Sequence, residues 1–516
     1  MLSTSSPSNP DPLPVPVPRR RKHRRVVVYL AAGLTVLGLL CARPLWHVLS
    51  TAWNDVNQLE PVPPGFADDV SRMNRTPIVE RVAVAADAAE AERQLAELLA
   101  RAEREHLPVT MAGARHSMGG HTIAPAGIVI DMLPFQQMQY DAERELLHVQ
   151  AGARWRDIIP YLDRFGRSVA VMQSDNTFTV GGSLSVNCHG WQYGRPPIAA
   201  TVESLRLMRA NGVIVRCSRT EHAELFSLVL GGYGLFGIIL DAELRVVPNE
   251  RYRLEQFLVP VNRALATFEE QVEQRSDAVM VYARIGIVPD RFLDEVILNV
   301  FYREAASDGP MPALTDPELV GLRRSLFRGS VGSDYGKELR WAAEARLQPH
   351  LSQRHFSRNQ LLNEGSDIFQ NRTAATTDIL HEYFIPRAQV EPFVVELRQI
   401  IPRHRCDLLN ITVRGINADT DSFLRYADQR MLAFVMLFNQ PRTAEADAQM
   451  AALTRELIDA ALAAGGRYYL PYRLHATPDQ FRQAYPQADR FFELKREYDP
   501  QDLFQNQFYR KYRTSP

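Results

Sequence analysis

Three clusters of glycine constrain this chain more than any other feature. Gly113, Gly119 and Gly120 form the first, Gly181 and Gly182 the second, and Gly231, Gly232, Gly234 and Gly237 the third. Glycine admits positive φ and lets a backbone approach a neighbour or a ligand closely. Turns built this way can aim several N–H groups at one anion. The clusters lie among short interleaved elements. Ile78 to Ala85, Val109 to Ala112, Gly127 to Met132, Leu146 to Ala151 and Ile238 to Val247 read as strands. Ala88 to Glu105 and Arg154 to Phe165 read as helices. That alternation predicts an α+β domain.

One motif is set aside. Gly232-Tyr233-Gly234-Leu235-Phe236-Gly237 has the spacing of a dinucleotide fingerprint. That fingerprint needs a strand before it and a helix after it, so that the pyrophosphate meets a helix amino terminus. Here His222 to Leu230 reads as helix and Ile238 onward as strand, the reverse order.

Beyond Arg251 the texture changes. Ala278 to Ile287, Glu295 to Tyr302 and Leu432 to Asn439 read as longer strands, with helices at Pro392 to Ile401 and Ala444 to Ala464. A chain of 516 residues exceeds one ordinary core, so a second domain is expected. Net charge is -1, which provides no basic field for nucleic acid. The four cysteines lack any C-x-x-C spacing, and no metal site is expected. Nucleophile-elbow, zinc-protease and P-loop patterns do not occur.

The amino end is read separately. A block of six Lys/Arg between Arg19 and Arg25 precedes the uncharged run Val26 to Ala42. A run of 17 apolar residues sits at the short end of what spans a bilayer. The basic block predicts a cytoplasmic amino terminus, with the remainder on the outer, periplasmic side. No A-x-A-like cleavage site follows the run. The expected order is a disordered basic tail (1–25), a single transmembrane anchor (26–48), a linker (49–75), the first domain (76–250), a second domain (251–467) and a closing segment (468–516).

Three stretches together carry a resemblance. Ala112 to Ser117, Phe178-Thr179-Val180-Gly181-Gly182-Ser183-Leu184-Ser185 and Gly234-Leu235-Phe236-Gly237-Ile238-Ile239 resemble, in order and spacing, the FAD-binding domain of the vanillyl-alcohol-oxidase (para-cresol-methylhydroxylase-type) superfamily. The likeness covers about Thr76 to Pro248. It resumes at Tyr469-Leu470-Pro471-Tyr472 and at Asp499-Pro500 through Phe504 to Asn506, which are similar to aldonolactone oxidases and cytokinin dehydrogenases. The resemblance implies a two-subdomain FAD-binding domain followed by an α+β substrate (cap) domain. It implies FAD contacts at Gly113, Ala114, Arg115, His116, Ser117, Met118, Gly181, Gly182, Ser183, Ser185, Gly237, Ile238 and Asn506.

His116, directly before Ser117, stands where many superfamily members bond a histidine to the flavin, so a covalent FAD is implied. An imidazole beside an electrophilic flavin is a competent nucleophile. No cysteine precedes the second block, so one link is expected, with Cys188 a small buried residue. The implied reaction is hydride transfer from a substrate CH–OH group, on a sugar, lactone, related alcohol or glycolipid, with oxygen, a quinone or a cytochrome as acceptor. Amine oxidation, alkene reduction and a catalytically silent membrane flavoprotein are the alternatives.

Candidate catalytic residues are Glu382, on a stretch similar to the active-site strand of aldonolactone oxidases, with Arg414, Tyr472 and Asp175. Two departures stand out. Asp175 is one residue closer to the glycine pair than the cytokinin-dehydrogenase aspartate, and Tyr472 and Arg473 stand where aldonolactone oxidases carry a lysine.

Overall fold

A computed structural model describes residue 29 and residues 42–305, 309–347 and 355–513. Among these, no helix is long and apolar enough to cross a membrane. The run proposed to span, Val26 to Ala42, lies almost wholly outside the described residues. The first described element is a helix, α1 (42–54), which extends into the stretch read as linker.

The first domain opens with β1 (Glu80–Ala83), α2 (Ala88–Arg104), β2 (Val109–Ala112) and β3 (Ile128–Asp131). Asp87 caps α2 by accepting the Glu90 N–H. The apolar stripe Ala91, Leu95, Leu98, Leu99 and Ala102 buries against the sheet. The three strands are parallel, in the order β1-β3-β2. Next come β4 (Met138–Asp141), β5 (Leu146–Gln150), α3 (Trp155–Asp163), a short helix α4 (Val180–Ser185), β6 (Val202–Met208), β7 (Ile214–Ser218) and β8 (Ile238–Pro248). They form an antiparallel sheet in the order β7-β6-β8-β5-β4.

The second glycine pair, read as a turn, lies in the first turn of α4. Thr179 Oγ1 caps it by accepting the Gly182 N–H at 3.3 Å, and the Gly181 N–H donates to Ala151 O at 2.8 Å. A Cβ on Gly181 would stand 2.8 Å from the Ala151 methyl carbon, so this approach requires glycine. The cap and the close packing hold a helix that local propensity disfavours.

The second domain is an eight-stranded antiparallel sheet. Its strands are β9 (Arg251–Pro260), β10 (Ala278–Ile285), β11 (Glu295–Arg303), β12 (His355–Ser357), β13 (Thr376–Pro386), β14 (Asp407–Ile416), β15 (Met431–Pro441) and β16 (Arg467–Tyr468). Their spatial order is β12-β9-β11-β10-β14-β15-β13-β16. Helices α5 (Val320–Arg328), α6 (Asp334–Ala342), α7 (Val390–Arg403) and α8 (Ala444–Ala463) fall between the strands in sequence.

The closing segment comes back to the first domain. Lys495, fully buried, pairs with Asp499 Oδ2 at 2.8 Å. The same carboxylate accepts the N–H groups of Leu503 and Phe504. This lock lays Phe504 beside Val109 of β2, through Val109 N–H to Leu503 O at 2.8 Å.

Candidate active site

The three glycine blocks form one continuous surface. Gly113 packs so tightly on Thr179 that any Cβ there would overlap the hydroxyl. At the other end of α4, Leu184 O and Ser185 O accept the N–H groups of Gly231 and Tyr233, both at 2.9 Å. Asn506 closes the surface by donating to Tyr233 O at 2.9 Å while its side-chain oxygen caps the last helix. Blocks far apart in sequence therefore meet, the first and second at the Thr179 side chain and the second and third through backbone hydrogen bonds.

The first block is a loop exposing backbone donors. Among the described residues, the N–H groups of Ala114, Arg115, His116 and Ser117 have no protein acceptor. Arg115 sits at φ 59°, which turns the loop. The Ser117 hydroxyl oxygen is buried and likewise has no protein partner. Met118 is buried, donates its N–H to Pro471 O at 2.8 Å and accepts the Leu380 N–H on sulfur at 3.3 Å. Unpaired donors on a glycine-lined surface fit FAD, whose pyrophosphate and ring carbonyls are acceptors.

Other residues named for the cofactor also make contacts within the protein. Ser183 Oγ donates to Gln173 and accepts from Trp155, both at 2.9 Å. Ile238 is buried in β8, and at Gly237, with φ 149°, a Cβ would stand 2.6 Å from Met208 O. Asn506 acts on Tyr233 rather than on an open surface.

His116 lies on this surface with its ring stacked on Phe178 at 4.1 Å between centroids. Its Nε2 is 2.9 Å from Thr177 Oγ1, and Thr177 donates its hydroxyl proton to Asp175 Oδ1 at 2.7 Å. The Thr177 oxygen is thereby the acceptor toward Nε2–H, which leaves the lone pair on Nδ1. Burial pushes the imidazole below its ordinary value, against the opposing pull of Asp175, so the ring is neutral.

A second cluster surrounds Glu382, buried on β13. His189 Nε2 donates to Glu382 Oε1 at 2.6 Å, and the Tyr472 phenol donates to Oε2 at 2.9 Å. Burial would raise the Glu382 pKa. The charges of His189 and Arg414 and the bonds from His189 and Tyr472 outweigh it, holding the carboxyl below the usual carboxylate range. Burial and the neighbouring Glu382 push the Tyr472 phenol well up, so it stays protonated. Arg414 reaches this cluster from β14, and its Nε has no protein acceptor among the described residues.

The two clusters flank the same loops. Pro471 holds Met118 in the first block, and the Tyr469 hydroxyl donates to Val186 O at the end of α4 at 2.7 Å. Glu382, Arg414 and Tyr472 are thus brought together. Asp175 instead belongs to the His116 group. Sequence reading passed over His189, whose only local signal is a His-Gly pair after the second block. Cys188 is buried, and burial pushes its thiol up to about 12.

Two stretches of the chain match known families. Residues 84–218 match a family described as FAD binding domain. Residues 338–512 match one described as D-arabinono-1,4-lactone oxidase. L-gulonolactone oxidase of Mus musculus is 21% identical over 429 residues, which covers 81% of this chain and 92% of the relative. Cytokinin dehydrogenase 7 of Oryza sativa subsp. japonica is 32% identical over 314 residues, 55% of this chain and 58% of the relative. Cytokinin dehydrogenase 10 of the same plant is 25% identical over 444 residues, covering 77% and 78%.

Proposed function

We propose, on the premise that this chain belongs to the FAD-linked oxidases and dehydrogenases that carry this FAD-binding domain, that it oxidises a CH–OH group on a sugar, lactone or related alcohol. The observation that carries the reading is the Glu382 carboxylate, held ionised between His189 and Tyr472 next to the glycine loops. When bound, FAD supplies the ring that accepts the hydride. Glu382 receives the substrate hydroxyl proton, and the Arg414 guanidinium faces the oxygen as negative charge grows on it. Tyr472 stays protonated and fixes the orientation of the carboxylate.

His116 is the attachment point for a covalent flavin, through Nδ1. What supports this is the neutral ring, the lone pair left on Nδ1 by the Thr177–Asp175 relay, and the place of the residue in the first block. The similarity to cytokinin dehydrogenases favours a second reading, amine oxidation at the same cluster. We place the chain in a membrane through Val26 to Ala42, with the amino terminus cytoplasmic, the catalytic part outside, and oxygen or a membrane quinone or cytochrome as acceptor.

Anaerobic bleaching of the flavin by a panel of sugars, lactones, glycolipids and amines tests the function. The reading expects loss of flavin absorbance with a lactone or sugar alcohol, and recovery on adding oxygen or a quinone. Bleaching by amines alone would replace it with the second reading. Absence of bleaching by the whole panel would favour a silent flavoprotein.

A further inference from the structure

Helix α1 is amphipathic in the wrong sense for a helix that packs on a protein. At 100° per residue, Leu45, Trp46, Leu49 and Trp53 fall on one side, and Arg43, His47 and Thr51 on the other, with Asp55 and Val56 just past the end of the helix. The polar side is the docked one. His47 Nε2 bonds Gly329 O at 2.8 Å, the Arg43 guanidinium lies 3.8 Å from the centre of the Tyr335 ring, and the Asp55 carboxylate takes both ends of the Arg324 guanidinium. The apolar side faces outward, with Leu45 59%, Trp46 74%, Leu49 56% and Trp53 85% exposed, and Val56 just after the helix is exposed too. Leu319 and Leu322, at the start of α5, are exposed as well.

An apolar stripe of this size is costly to leave in water. Two observations identify what covers it. The stripe begins where the uncharged run Val26 to Ala42 ends, so the chain passes from that run directly into α1. Its two largest members are tryptophans, whose amphipathic rings partition to the headgroup boundary of a bilayer. We propose that the outward face of α1, with Leu45, Trp46, Leu49 and Trp53, lies in the interfacial layer of a lipid bilayer and seats the second domain against it. This rests on the membrane placement above and adds a defined contact surface and orientation to it.

The surface is linked to the flavin side. Arg324, gripped by Asp55, donates to Asp367 O at 2.6 Å. In the same loop Glu364 O accepts the Asn176 N–H at 2.9 Å, one residue from Thr177. Seating α1 on lipid therefore orients the loop that borders the His116 group.

The test uses the full-length holoprotein in phosphatidylcholine–phosphatidylglycerol vesicles whose acyl chains carry bromine at shallow or deep positions. Of the five tryptophans, Trp155, Trp191 and Trp341 are buried, so quenching reports on Trp46 and Trp53. Strong quenching by the shallow lipid is expected. It should fall severalfold in the Trp46→Phe/Trp53→Phe double variant and in Leu49→Glu, with flavin absorbance unchanged in both. Fluorescence indifferent to bromolipid would overturn the proposal. So would protection of the tryptophans from iodide without lipid, whether the chain dimerises (a second copy covers the stripe) or stays monomeric (its own amino-terminal run does). Resistance to alkaline carbonate extraction separately reports the span, so failure of the anchor and failure of the stripe are distinguishable.

Discussion

Two histidines border the same glycine surface, each near an acid, and they are held in opposite ways. His189 touches its carboxylate directly at 2.6 Å, in a fully buried pair. His116 is separated from Asp175 by the Thr177 hydroxyl, and its Nδ1 stands 4.0 Å from the second Asp175 oxygen. Direct contact with His189 lowers the Glu382 pKa and favours the carboxylate. The interposed hydroxyl does the reverse, fixing a tautomer while leaving the imidazole neutral. The arrangement suits one histidine to proton traffic and the other to bond formation.

The comparison can be broken first at the acid. Glu382→Gln removes the acceptor of the hydroxyl proton, and kcat should fall about 10²–10⁴-fold with flavin content unchanged. A loss under threefold would remove Glu382 from the chemistry. His189→Asn should cost less, about tenfold to a hundredfold, because it acts through the carboxylate. Its signature is in the pH profile. His189 is the main group lowering the Glu382 pKa, so the acidic limb of kcat against pH should move upward in the variant. An unmoved limb would mean that the pair is only structural.

Thr177→Val removes the relay that sets the His116 tautomer, and the covalently flavinylated fraction should drop severalfold with fold and kcat per bound flavin kept. The smallest effect is invisible at neutral pH. His121 and His381, the latter adjacent to Glu382, are buried, and burial pushes each down to about 3. Unfolded, each would titrate near 6.5. Below that value the unfolded state binds protons that the native state refuses, so stability falls by about 1.4 kcal/mol per pH unit for each group down to pH about 3. Denaturant midpoints between pH 7 and 4 check the sign. His381→Gln should flatten the slope.

The glycine surface was legible because close approach demands glycine whichever stretch supplies the partner. Gly181 must be glycine against Ala151 wherever the rest of the chain lies, and Thr179 beside it is an ordinary cap. The His116 group was half legible. Two of its members, Asp175 and Thr177, are close in sequence, but the bond from Thr177 to His116 spans 61 residues and spacing does not encode it. His189 was not legible, since its partner lies 193 residues away on a strand of the other domain. Helix α1 misled for a physical reason. Its residues fall where the sequence reads as the end of the anchor and the start of a linker, and its docking rests on side-chain bonds to Gly329 and Arg324 far along the chain. Ser183 and Asn506, implied by the resemblance as cofactor contacts, also brace the loops through bonds to Gln173, Trp155 and Tyr233 that spacing does not encode.

On the proposed function the two histidines divide the work, His116 holding the flavin and His189 serving Glu382. In-gel flavin fluorescence of acid-denatured wild type, His116→Ala and Glu382→Gln tests it most directly. A fluorescent protein band in wild type and Glu382→Gln, and none in His116→Ala, is the predicted result. A fluorescent band in His116→Ala, or flavin washing free from wild type, would contradict it.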